Sequence, residues 1–594
     1  MDLHLSSHRA TAEETAAVDA VLGPAVAAPD ATVVRGGHDA RAQRHRLLPV
    51  LHALNDRVGW ISRGAVNLVA TRLDVAPAEI HGVATFYGLF STTERPARQV
   101  HVCTDLACQL AGAPRSADAL PAGAHPSPCL GLCERAPAVF VTDAGERSWQ
   151  ASVAPVTPVQ VSALAGGGDV PDEPAPHVAV PQVPAHRDDL VLLRRVGAVD
   201  PASLQDYRAH GGYLALRRAL ELGPDGVIRE MTESGILGRG GAAFPAGRKW
   251  QAVAHHAVHP HHLVCNADES EPGTFKDRVL MEGDPYSLIE AMTIAAYATG
   301  CEHGWIYLRG EYPRARRTLA HAIEQAYGHG LLGADVLGAG FRFDLELFIG
   351  AGAYVCGEET AIFNSIEGYR GEPRNKPPYP VDAGLFGKPT LVNNVETLAN
   401  VLPIVLGGGA AFAATGTAGS SGTKLFCVSG SVTTPGVYEL PFGSTLRQVI
   451  DAAGGVAQGH ALRAVLLGGA AGSFATPDDL DLPLTFEDLR ANGLTLGSGV
   501  VMVLDEHADL VAFVHRIAEF FRDESCGQCV PCRVGTVRQE EVLKRLEHHG
   551  PGWERDRALL TDIGRVLRDA SICGFGHSAH GAVESAIVKL GVFS

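Results

Sequence analysis

The spacing of apolar side chains changes character several times along the chain, and each change predicts a change of element. Between residues 41 and 90 apolar positions recur at three- and four-residue intervals, as at Leu47, Leu48, Leu51 and Leu54, which predicts helices. From 98 to 163 the pattern shortens to runs such as Gln99-Val-His-Val-Cys103 and Ala138-Val-Phe-Val-Thr142, which predict strands around a small domain. Residues 190–420 alternate helical stretches with strand-like runs, Leu263-Val-Cys265 and Gly304-Trp-Ile-Tyr-Leu308, the pattern of an α/β domain. Residues 421–507 are strand-rich with one helix near Thr445–Ala453, and predict a small α+β domain. Residues 508–594 are helical apart from cysteine-bearing loops, and residues 1–40, Ala-rich with mixed charge, predict a loosely ordered extension.

Between the small and large parts runs a stretch rich in Pro, Gly and Asp and poor in core residues, residues 165–189, which predicts a linker. The boundaries that follow are 1–40, 41–95, 96–164, 165–189, 190–420, 421–507 and 508–594.

Composition narrows the function. A net charge of −17 makes nucleic acid a poor partner. No basic segment followed by an apolar one opens the chain, and no run of about 18 apolar residues occurs. A cytoplasmic protein with no membrane span is the expectation, and reduced thiols there favour metal ligation over disulfides. Glycine is 68 of 594 residues, about 11%, an excess over the usual ~7% that suggests loops where backbone approaches a ligand.

Eight of the 12 cysteines fall into two sets. Cys526-Gly-Gln-Cys529-Val-Pro-Cys532 supplies three thiolates from one short segment, and Cys573 supplies a fourth, the requirement of a 4Fe-4S cubane. Zinc more often takes two separated C-x2-C pairs. The other set, Cys103-x4-Cys108 and Cys129-x3-Cys133, offers two thiolates from each of two loops, which suits a 2Fe-2S cluster, with zinc as a rival on ligand identity alone. Cys265, Cys301, Cys356 and Cys427 are scattered and read as buried small hydrophobes.

Between the cysteine sets lie glycine-rich loops. Gly235-Ile-Leu-Gly238-Arg239-Gly240-Gly241-Ala-Ala-Phe244 leads to Arg248 and Lys249, a pattern suited to phosphate but with a spacing unlike G-x-G-x-x-G. Asn266-Ala-Asp268-Glu269-Ser-Glu271 follows a strand-like run, where an open α/β sheet keeps its ligand crevice. Gly350-Ala-Gly-Ala-Tyr354-Val-Cys-Gly-Glu358-Glu359 is acidic, which suits hydroxyls or a carboxamide better than phosphate. Lys376, Tyr379, Asn393 and Asn394 follow. The histidines from His255 to His262 lack a carboxylate or cysteine at matching spacing and read as a surface loop.

Gly238-Arg-Gly-Gly, Asn266-Ala-Asp-Glu, Gly352-Ala-Tyr-Val-Cys-Gly-Glu-Glu-Thr, Lys376-Pro-Pro, Ser525-Cys-Gly-Gln-Cys-Val-Pro-Cys-Arg and Ile572-Cys-Gly together resemble the flavin-bearing NADH-oxidising subunit of respiratory complex I, fused to that complex's 2Fe-2S subunit. The resemblance covers roughly residues 41–594. It implies a multidomain α/β and α+β fold: a helical and thioredoxin-like module, a Rossmann-like FMN/NAD domain, a β-grasp-like domain and a C-terminal helical bundle carrying an Fe-S cluster. It implies FMN at Gly238, Arg239, Gly240 and Gly241, touched by Lys249, Asn266, Asp268, Tyr354, Asn393 and Asn394. Glu269 would orient the nicotinamide, Phe244 would stack on adenine, and Glu271, Glu358, Glu359, Lys376 and Tyr379 would line the NAD site. No residue acts as acid or base, because hydride passes directly between NAD(H) and flavin. An acidic residue near the adenosine ribose predicts NAD over NADP by like-charge repulsion. Where the family often carries a second aromatic, this chain has Ala252, which predicts a less fully sandwiched adenine.

Three parent systems share such a module: complex I, NAD-reducing hydrogenases and NAD-dependent formate dehydrogenases. The fusion, and the complete N-terminal cysteine set, favour by analogy the diaphorase subunit of a formate dehydrogenase. Its partner would be a large molybdopterin-containing catalytic subunit in a hetero-oligomer.

Overall fold

The computed structural model describes residues 3–25, 38–115, 117–548 and 553–593. The helices Leu47–Val58, Arg63–Leu73 and Pro77–Ala84 form where apolar spacing predicts them, burying Leu47, Leu51, Leu54 and Val69. The extension is not loose throughout: Ala12–Leu22 is a helix opened by a Thr11/Glu14 capping box, with Ala17 and Val18 in the same core as Leu47. Its apolar face is Ala17 and Val18 with Val21 and Leu22 partly buried at its end, in an Ala-rich stretch whose periodicity is weak. Residues 26–37 of that extension lie outside the described residues.

The small sheet comprises β1 (Arg98–Cys103), β2 (Ala124–Ser127), β3 (Val139–Asp143) and β4 (Trp149–Val153), ordered β2-β1-β3-β4 with β1 and β2 parallel. Val100, Val102, Val139 and Val141 pack against Val161 and Leu164 of the helix Pro158–Ala165. Residues 165–189 connect this module to the next without hanging free. Ala179, Val180 and Val183 are buried, Arg314 holds the carboxylate of Glu173 at 3.0 Å, and the Gln182 side chain accepts from Glu439 N–H at 2.7 Å. The carboxylate of Glu439 in turn gathers the N–H groups of Val191, Leu192 and Leu193.

The large domain is built on four parallel strands, β5 (His261–Ala267), β6 (Cys301–Leu308), β7 (Asp344–Ile349) and β8 (Thr390–Asn394), ordered β7-β6-β5-β8. The near-continuous burial of β5 and of the helix Pro285–Thr299 is what a parallel sheet covered on both faces requires. A third sheet follows: β9 (Thr423–Gly430), β10 (Gly436–Pro441), β11 (Leu462–Leu467), β12 (Ser473–Ala475) and β13 (Val500–Asp505), ordered β10-β9-β13-β11-β12. Its helix, Leu446–Ala452, opens on a Thr445/Gln448 capping box. The C-terminal helices Leu510–Asp523, Val530–Glu547, Trp553–Ala570, Gly574–Ser578 and Gly581–Leu590 close the fold. Among the described residues no helix is long and apolar enough to cross a membrane.

Candidate functional site: a cleft at the strand ends and two cysteine centres

The C-terminal ends of β5 and β8 bring the polar residues of the central motifs together. Asn266 donates to Gly357 O at 2.8 Å, tying the first acidic loop to the Tyr354–Glu359 loop. Tyr354 donates from its hydroxyl to Glu271, a second tie between the same loops. Gly240 lies against Asn394, where a Cβ would stand 3.1 Å from the asparagine Cβ, so the glycine loop packs directly on the end of β8. Lys249, on the helix Ala246–Ala254, donates to Val392 O at 3.2 Å and pairs with Glu359 at 3.2 Å. Lys376 bridges Glu358 at 2.9 Å and Glu359 at 2.8 Å. Burial opposes the charge of Glu359, but Lys249 and Lys376 outweigh it and hold the carboxyl below its ordinary range. At the rim, Phe244 and Tyr379 are 50% and 55% exposed, leaving aromatic faces open to a planar ligand, while Ala252 is a small exposed side chain nearby in sequence on the Lys249 helix.

One atom stands out. Asp268 Oδ2 is buried and has no hydrogen-bond partner, and burial pushes the Asp268 carboxyl well above its ordinary range. A buried carboxyl oxygen without a partner, just past the C-terminal end of β5, is a place for a donor from a ligand ring. The glycine loop, this acceptor and the lysine at the mouth fit a flavin mononucleotide.

Three residues stand differently from the roles the resemblance implies. The Glu269 carboxylate turns inward, accepting from Asp277 N at 2.8 Å, Arg278 N at 2.9 Å and the Tyr312 hydroxyl at 3.1 Å. It fixes the start of the helix Lys276–Gly283. The Arg239 side chain is fully buried against the Phe442 ring, 4.5 Å from its centroid, with one bond to Ser421 O. Asn393 is buried and accepts from Trp250 Nε1 at 2.9 Å. Spacing alone cannot tell a loop residue facing outward from one facing the core.

The four thiols of Cys103, Cys108, Cys129 and Cys133 are all buried, and Cys129 Sγ lies 3.4 Å from Cys133 Sγ. Contact with Cys108 and Cys129 pushes the Cys103 thiol up, and contact with Cys103 and Cys133 pulls the Cys129 thiol down, so the set shares one environment. The large domain seals it. Arg309 donates to Cys129 O and to Glu269 O, each at 2.6 Å. Arg278 donates to Gly131 O at 3.0 Å and pairs with Glu134 at 2.6 Å. Gly131 has φ +65°, and a Cβ there would lie 2.1 Å from the Tyr312 hydroxyl oxygen. The sequence motifs point to none of Arg278, Arg309 and Tyr312; the basic residues inside otherwise apolar runs are the available signal.

The second set is built on helix starts. Cys529 caps Val530–Glu547, Cys532 lies in its first turn, and Cys573 caps Gly574–Ser578. Cys526, Cys529 and Cys573 are half-buried and Cys532 is buried. Burial raises the Cys532 thiol to about 12 and the Cys573 thiol to about 11, with neighbouring thiols adding to Cys532, so a metal centre that binds thiolates must displace those protons. The cleft and this set are joined by Tyr354, whose ring meets Phe520 at 5.1 Å and Phe575 at 5.6 Å.

Comparison with known proteins agrees with this layout. The Nuo51 FMN-binding domain family matches residues 231–403, and the NADH-ubiquinone oxidoreductase-F iron-sulfur binding region matches residues 512–590. The thioredoxin-like [2Fe-2S] ferredoxin family matches residues 36–128, and the SLBB domain residues 425–472. The NADH-quinone oxidoreductase F 2 subunit of Rhizobium meliloti (strain 1021) is 46% identical over 399 residues, 67% of this chain and 94% of that protein. The NADP-reducing hydrogenase subunit HndC of Solidesulfovibrio fructosivorans is 43% identical over 398 residues, 67% of this chain and 81% of that one. A chain of the H2-reduced NAD+-reducing [NiFe]-hydrogenase superposes with TM-score 0.76 at 34% identity, over 93% of this chain and 94% of its own length. The chain uses FMN, one 4Fe-4S cluster and one 2Fe-2S cluster with NADH as substrate. It belongs to the family of NADH-quinone oxidoreductase F subunits, in a form that also carries the thioredoxin-like [2Fe-2S] module.

Proposed function

We propose that this chain is the diaphorase subunit of a larger complex, exchanging electrons between NAD(H) and its iron–sulfur clusters through FMN bound at the strand-end cleft. The unpartnered Asp268 Oδ2 carries the reading: a buried acceptor with nothing to accept from suits the ring N–H of a flavin. Bound FMN supplies the conversion between a two-electron hydride and single electrons. The protein's part is to hold rings and exclude water. Gly238–Gly241 admit the flavin backbone-close, Lys249, Asn266, Tyr354 and Asn394 line it, and Asn393 and Glu269 brace the wall from behind. Phe244 and Tyr379 take the adenine end, and Glu358, Glu359 and Lys376 take the ribose end. Glu271, bonded to Tyr354 and taking Ala471 N–H at 2.9 Å, lines the NAD site. The carboxylates disfavour an extra ribose phosphate, so initial rates with NADH exceed those with NADPH.

The 4Fe-4S cluster is held by Cys526, Cys529, Cys532 and Cys573, and the 2Fe-2S cluster by Cys103, Cys108, Cys129 and Cys133. The former, beside Tyr354, would supply one-electron exchange with a bound flavin. The test is direct. Purified protein is yellow-brown, releases flavin on denaturation and reduces ferricyanide with NADH; a colourless preparation without flavin or iron overturns the proposal. Asp268→Leu is expected to lower flavin content at unchanged iron content.

For the parent complex we infer formate oxidation by a molybdopterin-containing partner, on the complete N-terminal cysteine set. The second reading, a soluble hydrogenase, is favoured by the near full-length likeness to the NAD+-reducing [NiFe]-hydrogenase chain. Metal analysis of the co-purified complex separates them: molybdenum or tungsten supports the first, and nickel replaces it with the second.

A further inference from the structure

Beneath the Gly238–Gly241 loop lies a cluster of buried charges that no motif predicts. Arg239, Lys276, Lys424 and Glu396 are each fully buried. Glu396 Oε2 receives Lys424 Nζ at 2.5 Å and Lys276 Nζ at 3.0 Å, while Oε1 receives Leu425 N at 3.0 Å. Lys276 also meets Asp277 Oδ1 at 2.8 Å, and Asp277 Oδ2 is taken by Asn394 Nδ2 at 2.6 Å. Glu269, the third carboxylate nearby, is spent on two backbone N–H groups and Tyr312.

The loop's own cation is left short of partners. Arg239 has one hydrogen bond from its side chain, Nη2 to Ser421 O, and its Nε and Nη1 are buried with none. The carboxylate that offsets its charge is Glu396, already shared by two lysines. A buried guanidinium with free N–H groups is costly unless an anion completes it. Lys424 comes from β9, in a different domain from the loop, and closes the layer: a Cβ at Gly499 would stand 3.0 Å from its Nζ.

We propose that Lys424, with Arg239 and Lys276 around the shared Glu396, forms a buried electrostatic base that makes the flavin site select a phosphate monoester, FMN over riboflavin. Arg239 is the cation nearest the loop, and Lys424 is a positioning residue that shares Glu396, so that this carboxylate does not serve Arg239 alone. The proposal rests on the flavin cleft assigned above.

The experiment uses the full chain, freed of flavin and titrated with FMN and with riboflavin by fluorescence quenching. Wild type is expected to bind FMN the tighter. Lys424→Met is expected to weaken FMN about tenfold or more while leaving riboflavin unchanged, the scale of one charge-assisted interaction. Lys424→Arg keeps the preference. Should the Met variant fail to fold, Lys424→Gln, which retains hydrogen-bonding ability without the charge, carries the same expectation. Equal weakening of both flavins shows a merely structural role and overturns the proposal. So does an unchanged preference accompanied by a raised KM for NADH, which would assign the cluster to the dinucleotide phosphates. If wild type binds neither flavin, the cleft assignment itself falls, and this inference with it.

Discussion

The thiols of Cys103, Cys108, Cys129 and Cys133 belong to residues no more than 5% exposed, whereas in the second set only Cys532 is so buried, and Cys526, between two helices, and Cys529 and Cys573, at helix N-caps, stand half-buried. The first set is enclosed by side chains that arrive from 145 to 209 residues later in the chain, namely Arg278, Arg309 and Tyr312 measured from Cys133 and Cys103. The second is organised largely by its own neighbours: Ser525 Oγ reaches Cys532 Sγ at 3.4 Å, and Arg533 donates to Gly527 O at 2.7 Å. A centre held by distant parts of the fold depends on domain docking. A centre held by local turns depends on the turns.

The sharpest way to break this contrast is Arg309→Met. It removes the donor to Cys129 O and Glu269 O and leaves Glu311, 3.2 Å away and buried, without its cation. Removing one partner of a buried pair costs about 3–5 kcal/mol. Urea unfolding followed at the 2Fe-2S absorption is expected to show that loss, with the 4Fe-4S signal retained. A change below about 1 kcal/mol, the worth of a surface pair, would mean that docking does not rest on this residue.

Gly131→Ala attacks the same site from the other side. The added methyl meets the Tyr312 hydroxyl, and the backbone lies in the left-handed region at φ +65°. Overpacking and left-handed strain together are worth about 2–5 kcal/mol. The variant is expected to lose 2Fe-2S content, measured by iron analysis and EPR, and to keep its flavin.

Acid–base behaviour gives the next effect. Burial raises the Glu269 carboxyl to about 7, with Asp277 adding to the rise and Lys276 opposing it. A carboxyl raised in the folded state favours folding when protonated. Its contribution is present in full below the unfolded value near 4.5 and is lost as pH rises through about 7. Stability of the flavin-free chain is therefore expected to fall by about 3 kcal/mol across that window through this residue. Glu269→Gln flattens the slope; an unchanged slope assigns the dependence to other groups, Glu271 first, which burial also raises to about 7.

Exposure predicts a kinetic difference as well. With a membrane-impermeant iron chelator, iron from the half-exposed set is expected to leave about tenfold faster than iron from the enclosed set, since local opening is cheaper at an exposed loop than at a domain interface. Equal rates would remove the distinction.

How much of this the chain disclosed depends on the range of the interactions. Cysteine spacing picked out both candidate sets because each pair or triplet is local, and the glycine loops pointed to ligand contact for the same reason. The parallel sheet was legible in the apolar runs Leu263-Val-Cys265 and Gly304-Trp-Ile-Tyr-Leu308. What stayed hidden is the enclosure: nothing near Cys129 points to Arg309, and nothing in the glycine loop points to Lys424. Side-chain direction was equally hidden. Glu269 and Glu271 are two residues apart in one acidic loop, yet the first is 5% exposed and caps a helix while the second reaches Tyr354. The proline-rich connector misled for a related reason. Its composition predicts a spacer, but Ala179, Val180 and Val183 find a core supplied by domains on either side.

Gly527→Ala makes the smallest change and the cleanest counterpart to Gly131→Ala. Both glycines hold a left-handed backbone near a cysteine of a candidate cluster set, at φ +78° and +65°. A Cβ at Gly527 meets only Arg533 Cδ, at 3.8 Å, an ordinary contact. Only the backbone penalty remains, about 1–2 kcal/mol, and the surrounding turn has open space in which to relax it. The 4Fe-4S cluster is expected to assemble in Gly527→Ala with an unaltered EPR signal and a small drop in unfolding midpoint. Two glycines with the same backbone would then have opposite tolerance, set by what faces them. Loss of the 4Fe-4S cluster in Gly527→Ala would place the demand for glycine in the turn itself, and local order would prove as stringent as domain docking.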